Sequence, residues 1–456
     1  MLNDKYKSEL DRIKADDDFK QRTIKMLEEK QSQLKNSGNE IIFDTSAPKG
    51  KTIKFKSVLS VAACVAFMLV GFAFYGKDVF FPKLPLEPEM YALPKSAQTA
   101  PTYSKADATP LAPSNKKADS ERIISEFSTG SGMGFEGLLA YDISDLENGN
   151  PYGADMIFRT LPVFYHSVAD AQNLQKICSD SAKKINKEIT SFQYSYVTLV
   201  YENGQVSTHK NYDTPSPAPL APSDILYSVT ANFDGGYMRV QASSGSLSIF
   251  FNPALSVDGI ACTHDNNNRE TVLSNTQVYN EKFKKFVDMK NPTCEAMGDF
   301  TFKGDRLWNS YVYEKSDDPA QAIFNFCINP VQFIQNEEEE LWVLRRCVSD
   351  DKKVADLPAI TSSQALWKLY QGEYLTTVPY PITDDTLVSK IELVYRLPAF
   401  DEREMKYEGY ILPLYKFYVE LPQMAMENGL KSYGIYYVNA IDENYVEYTV
   451  KDIQFN

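Results

Sequence analysis

The longest uncharged stretch of the chain runs from Val58 to Tyr75, with the sequence VLSVAACVAFMLVGFAFY. In a helix, a stretch of this length would cover roughly 27 Å, which is close to the thickness of a bilayer core. A helix buried in a protein core would carry a polar stripe, whereas here only Ser60 and Gly71 interrupt the apolar side chains. We therefore predict one transmembrane helix over residues 58–76.

The charges on either side of this stretch predict its orientation. Four lysines precede it: Lys49, Lys51, Lys54 and Lys56. The other side has Lys77 and Lys83, offset by Asp78. Because cytoplasmic flanks are enriched in Lys and Arg, we expect a cell-membrane protein with residues 1–57 in the cytoplasm and the C-terminal domain extracellular.

The predicted cytoplasmic segment, residues 1–57, has the spacing of two short amphipathic helices, the second beginning at Asp16-Asp17-Asp18. Such helices cannot bury a useful core alone, so their apolar faces need a partner. The candidate partner face consists of Tyr6, Leu10, Ile13, Phe19, Met26 and Leu27. We expect a protein partner, because a helix lying on the membrane would be more basic. The alternative is a solvated pair of helices before the anchor.

Seven prolines lie between Pro82 and Pro113, among Ala, Ser, Thr and Lys residues. This composition is typical of an extended spacer with polyproline II character. Residues 77–120 are therefore predicted to form an extracellular stalk that holds the outer domain away from the lipid.

Beyond the stalk, helical spacing alternates with strand-like runs. Helices are predicted after Asp170, from Ser274 and after an N-cap at Ser362, the last ending at Gly372. Asn203-Gly204 predicts a hairpin after a strand over 194–201. Further strands are predicted over 237–242, 247–251, 308–313, 323–328, 341–348, 391–397, 410–421 and 433–438. Since each half of the region offers a helix followed by antiparallel-type strands, we expect an α+β fold with two subdomains, 121–295 and 296–456.

Composition and charge narrow the function classes. With 43% hydrophobic and 13% aromatic residues, the chain is not a disordered protein. The net charge of −14 argues against a nucleic-acid partner. Residues 1–120 hold 19 Lys and Arg against 15 Asp and Glu, a net of +4, so residues 121–456 carry −14 − 4 = −18. We expect anionic polymers and lipid head groups to be repelled by that acidic outer region.

Catalytic and metal-binding signatures are weak in this sequence. The histidines His166, His209 and His264 lack metal-ligand spacing, and Cys262-x-His264 is the closest Cys/His pair. Five cysteines lie beyond the predicted span: Cys178, Cys262, Cys294, Cys327 and Cys347. They leave open one or two disulfides or a set of buried thiols. We predict a protein that is not an enzyme, with no catalytic residues, no cofactor and no metal.

Two aromatic runs near the C-terminus allow two interpretations. They comprise Tyr415, Phe417 and Tyr418, and Tyr433, Tyr436 and Tyr437. They could form a stacking surface for sugars, or they could be sheet faces packed on helices, which is the commoner arrangement for such residues.

The leader ADDDFKQRTIKMLEEK, residues 15–30, precedes a lone apolar span, a Pro-rich segment and a large outer region. This layout resembles the membrane-anchored anti-sigma-factor-type regulatory proteins of Gram-positive bacteria. The resemblance covers about the first 120 residues and implies a cytoplasmic sigma factor as partner. Residues 1–57 contain neither His nor Cys, so the zinc arrangement of one subgroup of these proteins is absent.

The segment SSQALWKLYQGEY, residues 362–374, followed by IELVYR, PLYKFYVEL and YGIYYVNAI, is similar to PepSY-type regulatory ectodomains. The resemblance covers about the last 100 residues. It implies a helix before an antiparallel sheet, and a role in binding or sensing rather than catalysis.

These observations favour a single-pass membrane regulatory or sensor protein. Its outer domain would bind an unknown extracellular ligand or protein, and its cytoplasmic helices would engage a sigma factor or a sensor kinase. The alternative is a cell-envelope binding module for a glycan or a protein, in which the N-terminal segment is only an anchor.

Overall fold

The computed structural model describes residues 102–111, 122–128, 135–145, 156–168, 171–202, 205–217, 224–261, 268–336, 338–401 and 405–451. In this part of the chain, strands account for 46% of the residues and helices for 20%. The strands are β1 (Ile123–Ser128), β2 (Gly137–Ala140), β3 (Thr160–His166), β4 (Ile189–Glu202), β5 (Gln205–Thr214), β6 (Asp224–Phe233), β7 (Gly236–Gln241), β8 (Ser246–Leu255), β9 (Pro292–Phe300), β10 (Arg306–Glu314), β11 (Val331–Gln335), β12 (Leu341–Cys347), β13 (Lys352–Pro358), β14 (Val388–Arg396), β15 (Phe400–Asp401), β16 (Lys406–Tyr407), β17 (Gly409–Glu420), β18 (Lys431–Asn439) and β19 (Val446–Lys451). The α-helices are α1 (Ala171–Lys184), α2 (Arg269–Lys282), α3 (Lys284–Val287), α4 (Pro319–Ile328) and α5 (Ser362–Tyr370).

A nine-stranded antiparallel sheet dominates the structure, in the order β5-β4-β6-β7-β8-β12-β11-β10-β9. Helices α1, α2 and α3 cover one of its faces. The core between them is rich in large side chains, including Tyr194, Met238, Ile249, Tyr279, Phe286, Phe333 and Leu344. One face of this sheet is therefore buried, as the period-2 alternation of its strands requires.

Short turns set the register of this sheet. Glu202 pairs with Gln205, which confirms the hairpin predicted at Asn203-Gly204. Phe233 pairs with Gly236 across Asp234-Gly235. Gly236 is required there, because its φ is 152° and an added Cβ would lie 2.0 Å from the Phe250 carbonyl oxygen.

The second sheet has six strands, in the order β13-β3-β17-β18-β2, with β14 also pairing with β17. Its core contains residues of α4 and α5, such as Ile323, Phe324, Leu366 and Leu369, packed against Phe417, Tyr436 and other strand residues. A parallel pair formed by β1 and β19 stands beside it. The strands predicted over 391–397, 410–421 and 433–438 are confirmed as β14, β17 and β18.

The order of the strands along the chain overturns the predicted α+β architecture of two consecutive subdomains. Strands β2 and β3 belong to the six-stranded sheet, and the chain then builds the whole nine-stranded sheet before it returns at β13. The predicted boundary between residues 295 and 296 falls inside β9. The α+β class is thus wrong for the described residues, which are mostly β-sheet. Local patterns identified individual strands, but they carried no information about which strands share a sheet.

One predicted strand is a helix. Residues 323–328 lie in α4, where Asp318 caps the helix through the Ala320 N–H at 3.0 Å and Pro319 occupies the first turn. The apolar run is continuous because α4 is buried on two sides. Ile323 and Phe324 face the core of the six-stranded sheet, while Phe326 packs on Tyr313 of β10 at 5.3 Å. Periodicity alone cannot separate a buried helix from a buried strand.

Two predicted helix starts shift. Helix α2 begins at Arg269, five residues before Ser274, and Asn268 caps it by accepting the Thr271 N–H at 2.9 Å. Helix α5 begins at Ser362 and is capped by Thr361 in a capping box with Gln364. The helix predicted after Asp170 is confirmed as α1.

The N-terminal predictions fall largely outside the described residues. The segment 1–57, the span 58–76 and most of the stalk 77–120 are not described. In the described part of the chain, no helix is long and apolar enough to cross a membrane. Residues 102–111, predicted as stalk, lie against the six-stranded sheet and helix α5. Tyr103 bridges to Val388 of β14, and the Thr109 N–H donates to the Ser363 carbonyl of α5.

Candidate binding site

A cluster of aromatic side chains stands on the face of the nine-stranded sheet that α1, α2 and α3 leave open. Tyr237 on β7 and Phe250 on β8 are cross-strand partners, and Trp342 follows on β12. Trp342 is 49% exposed, although the residues on either side of it are buried. A group of aromatic side chains on one open sheet face indicates a candidate contact surface, which a single exposed side chain would not.

The rings form a wall beside a shallow cleft. The Tyr237 and Phe250 rings stack with centroids 4.7 Å apart, and Trp342 meets Phe250 edge to face at 6.2 Å. In an edge-to-face contact, Phe250 covers at most one broad face of the Trp342 indole. The other broad face is therefore not in contact with Phe250. The cleft has a volume of about 850 Å³ and is lined by Tyr237, Phe250, Phe251, Asn252, Ala254, Gln335, Asn336 and Trp342.

Two local irregularities of the sheet position the aromatic side chains at the two ends of this wall. The Asp234-Gly235 turn and the tight approach of Gly236 to β8 bring Tyr237 beside Phe250. On the other side, pairing of β12 with β8 is interrupted between Leu341 and Val343, and Trp342 lies at that interruption. Bulges of this kind redirect side chains next to functional sites.

Amide side chains supply the polar lining of the cleft. Asn336 accepts the Glu340 N–H through its side-chain oxygen at 2.8 Å, and the Gln335 NH2 donates to the Glu339 carbonyl at 2.9 Å. These bonds hold the hairpin that borders the cleft. The Asn336 NH2 has no hydrogen-bond partner among the described residues, and Asn252, which also lines the cleft, is exposed.

A second arrangement has catalytic residue types but the wrong order. His166 Nδ1 lies 2.6 Å from one oxygen of Asp351, and the Ser349 hydroxyl donates to the other oxygen at 2.9 Å. The carboxylate therefore stands between the hydroxyl and the imidazole, whereas activation of a serine requires the imidazole beside the hydroxyl. His166 is also fully buried. The pair joins β3 to the segment before β13 and is a structural contact.

The described cysteines are free thiols: Cys178, Cys294, Cys327 and Cys347. Burial raises the pKa of Cys178 and of Cys327 to about 12 and that of Cys294 to about 11. A buried thiol of this kind supplies almost no thiolate at neutral pH and is a poor nucleophile. Across the described ranges, no group of three or more His, Cys, Asp or Glu residues could hold a metal ion.

A buried polar cluster lies on the six-stranded sheet. The Tyr418 hydroxyl donates to Glu392 at 2.7 Å, and burial raises the pKa of Tyr418. The Lys416 ammonium stands 4.7 Å from the Tyr418 ring, and burial lowers its pKa. Nearby, Glu136 accepts from Arg396 at 2.8 Å. These groups are paired with one another between β-strands, so we assign them to the packing of the sheet.

The structure separates the sequence-predicted site residues from the cleft. Tyr415, Phe417, Tyr418, Tyr433, Tyr436 and Tyr437 are buried, so these residues form packed sheet faces and not a stacking surface for sugars. The candidate partner face of Tyr6, Leu10, Ile13, Phe19, Met26 and Leu27 lies outside the described residues.

Tyr237, Phe250 and Trp342 were missed as site residues. The sequence signal for this site was a tryptophan between two aliphatic residues of a predicted strand, Leu341-Trp342-Val343, directly after an acidic run.

The chain matches no protein-family model and no curated protein sequence. The resemblances to anti-sigma-factor-type proteins and to PepSY-type ectodomains therefore stay predictions. The functional conclusion depends on the residues of the open sheet face.

Proposed function

We propose that this protein is a non-catalytic binding protein that holds a saccharide on the open face of its nine-stranded sheet. The observation that carries the proposal is the half-exposed indole of Trp342 at the edge of an aromatic wall and above a cleft bordered by amides. This agrees with the cell-envelope binding module that the sequence offers as an alternative.

The chemistry of a sugar ring fits these groups. One face of a pyranose presents C–H bonds, which pack on an aromatic face, while its hydroxyls need donors and acceptors in the ring plane. The indole of Trp342 supplies the apolar face. Asn252 and Asn336 stand at the borders of the cleft, where an amide can donate to one hydroxyl and accept from the next.

The shape of the cleft also favours binding over catalysis. It is open to solvent on the face of a sheet, so it cannot exclude water from a reacting bond. Its lining contains amide and aromatic side chains, with no carboxylate, imidazole or thiol among the described residues that line it. Membrane anchoring and a cytoplasmic sigma factor or sensor kinase stay predictions from residues 1–76.

The test is a glycan array probed with the full-length protein and with two alanine variants. Trp342→Ala removes the proposed stacking surface. Leu307→Ala is the matched control, since Leu307 is 52% exposed on β10 of the same sheet and is not part of the cleft. We expect the wild type and Leu307→Ala to bind the same saccharides and Trp342→Ala to lose them.

Two outcomes would contradict the proposal. One is saccharide binding that survives Trp342→Ala at unchanged affinity. The other is a wild-type protein that binds no glycan but changes its sedimentation coefficient when Trp342 is replaced, which would make the open face a protein interface.

A further inference from the structure

Two arginines stand on the open face, one row away from the aromatic wall. Arg239 on β7 pairs with Ser248 on β8, which pairs in turn with Arg345 on β12. Directly paired residues of an antiparallel sheet share a face, as do residues two apart on one strand. Arg239 therefore lies on the same face as Tyr237, and Ser248 on the same face as Phe250.

Both guanidinium groups are held by neutral oxygens. The Arg239 Nε donates to the Thr230 hydroxyl at 3.2 Å, and the Arg345 Nε donates to the Ser248 hydroxyl at 3.3 Å. Each bond uses the inner nitrogen of the guanidinium and leaves the two terminal NH2 groups for another partner. Both side chains are exposed.

The two arginines differ from others in the structure. Arg122, Arg269 and Arg396 form ion pairs with Glu447, Glu295 and Glu136. Among the described residues, no carboxylate lies within ion-pair distance of Arg239 or Arg345. In a chain with 61 acidic and 47 basic side chains, two neighbouring arginines without a carboxylate partner form a local basic patch.

The spacing of the patch fits separate oxyanions of one acidic chain. Adjacent strands are about 4.8 Å apart, so β7 and β12, on either side of β8, place the two Cα atoms about 10 Å apart. The Arg345 fork leans over β8 to Ser248, whereas the Arg239 fork leans over β6 to Thr230 and lies 5.7 Å from the Tyr237 ring. The two forks therefore do not meet, and each can bind its own oxyanion. Two parallel N–H bonds from a guanidinium to a carboxylate or another oxyanion are among the strongest charge-assisted contacts in proteins.

We infer that the saccharide of the open face is an acidic oligosaccharide, with separate oxyanions bound by Arg239 and by Arg345 while one of its rings stacks on Trp342. This inference rests on the proposed saccharide-binding function. The shared chemistry is a sugar unit that carries a carboxylate or a sulfate. It departs from the expectation that the acidic outer region repels anionic polymers, because the local patch has the opposite sign to the net charge.

The experiment is a calorimetric titration of the full-length protein with three oligosaccharide probes: an oligogalacturonate, its neutral methyl ester and a sulfated oligosaccharide. The variant is Arg239→Gln/Arg345→Gln. The matched control is Arg159→Gln, an exposed arginine directly before β3 of the six-stranded sheet. A second variant, Arg239→Lys/Arg345→Lys, keeps the charge and removes the planar fork, and equal urea midpoints for all variants show that folding is intact.

We expect the wild type and Arg159→Gln to bind at least one acidic probe tenfold or more tightly than the methyl ester. The glutamine variant should lose that difference, and the lysine variant should lose part of it. Whether the natural saccharide carries a carboxylate or a sulfate is decided by which of the two acidic probes binds more tightly. Higher salt should weaken the acidic probes and leave the methyl ester unchanged.

Three results would overturn the inference. If the methyl ester binds as tightly as the acidic probes in every variant, the ligand is neutral and the proposed saccharide function still stands. If acidic binding depends on the arginines but is unchanged in the Trp342→Ala variant titrated with the same probes, the anion is not part of a stacked sugar. If the wild type binds none of the probes and no glycan on an array, both the inference and the proposed function fail.

Discussion

Trp342 and Phe333 offer a test of whether the open face is built for binding or for stability. Both belong to the β11–β12 hairpin, but they point to opposite sides of the nine-stranded sheet. Phe333 is 3% exposed and stacks on Tyr279 at 5.2 Å, whereas Trp342 is 49% exposed on the open face. Replacing each with alanine should separate the two roles.

The expected stability losses follow from burial. Truncation of a fully buried Phe removes its burial energy and leaves a cavity, so Phe333→Ala should lower the free energy of unfolding by about 3–5 kcal/mol. Full burial of a large apolar side chain contributes about 1.5–3 kcal/mol. Since half of the Trp342 side chain is already in contact with solvent, Trp342→Ala should cost about 1 kcal/mol.

Urea unfolding followed by far-UV circular dichroism gives the midpoint and slope for each variant. In parallel, calorimetry with a saccharide that the wild type binds gives the affinity. We expect Phe333→Ala to lower the urea midpoint strongly and, where it is folded, to keep its affinity. Trp342→Ala should barely move the midpoint and abolish binding. If Trp342→Ala lowers the free energy of unfolding as much as Phe333→Ala does, the reasoning is refuted, because the indole would then belong to the core and not to the surface.

Three further predictions concern other parts of the structure. Gly236→Ala should lower the urea midpoint and displace Phe250, because the added Cβ would meet the Phe250 carbonyl oxygen. Gly372→Ala, at φ 82° with open space around it, should cost only about 1–2 kcal/mol of backbone strain. Equal urea midpoints for the two variants would contradict this difference. Burial raises the pKa of Asp299 above 3.8, so the wild type loses stability as the pH rises through the pKa of the folded state. Asp299→Asn should therefore be more stable than the wild type at pH 7 but not at pH 3. An Asp299→Asn variant that is less stable than the wild type at pH 7 would contradict the direction of this shift. A thiol reagent at pH 8 should label Cys178 only after urea is added, since burial raises its pKa to about 12, and rapid labelling of the folded chain would count against that burial.

Local features of the sequence were sufficient to predict several elements. Asn203-Gly204 fixed the position of a hairpin because that dipeptide favours the backbone conformation of a two-residue turn. The helix from Ser362 to Tyr370 was recognisable from its apolar spacing and from Gly372 after it. In each case the information lies within about ten residues of chain.

The architecture and the site depend on contacts between residues that are much farther apart in the sequence. Tyr237 and Trp342 are 105 positions apart in the chain, and they meet because β7, β8 and β12 are neighbours in one sheet. Nothing in the alternation of β12 specifies β8 as its partner. Likewise, α4 looked like a strand because burial between two sheets removed its polar stripe.

The most direct measurement of the central claim is an indole N–H spectrum of the full-length protein labelled with ¹⁵N-tryptophan. The chain has three tryptophans, so it should give three indole signals, and Trp342→Phe identifies that of Trp342. A saccharide that binds to the open face should shift the Trp342 signal and leave in place that of Trp367, which lies on helix α5 beside the six-stranded sheet. A saccharide that saturates the protein while the Trp342 signal stays unmoved would contradict the account.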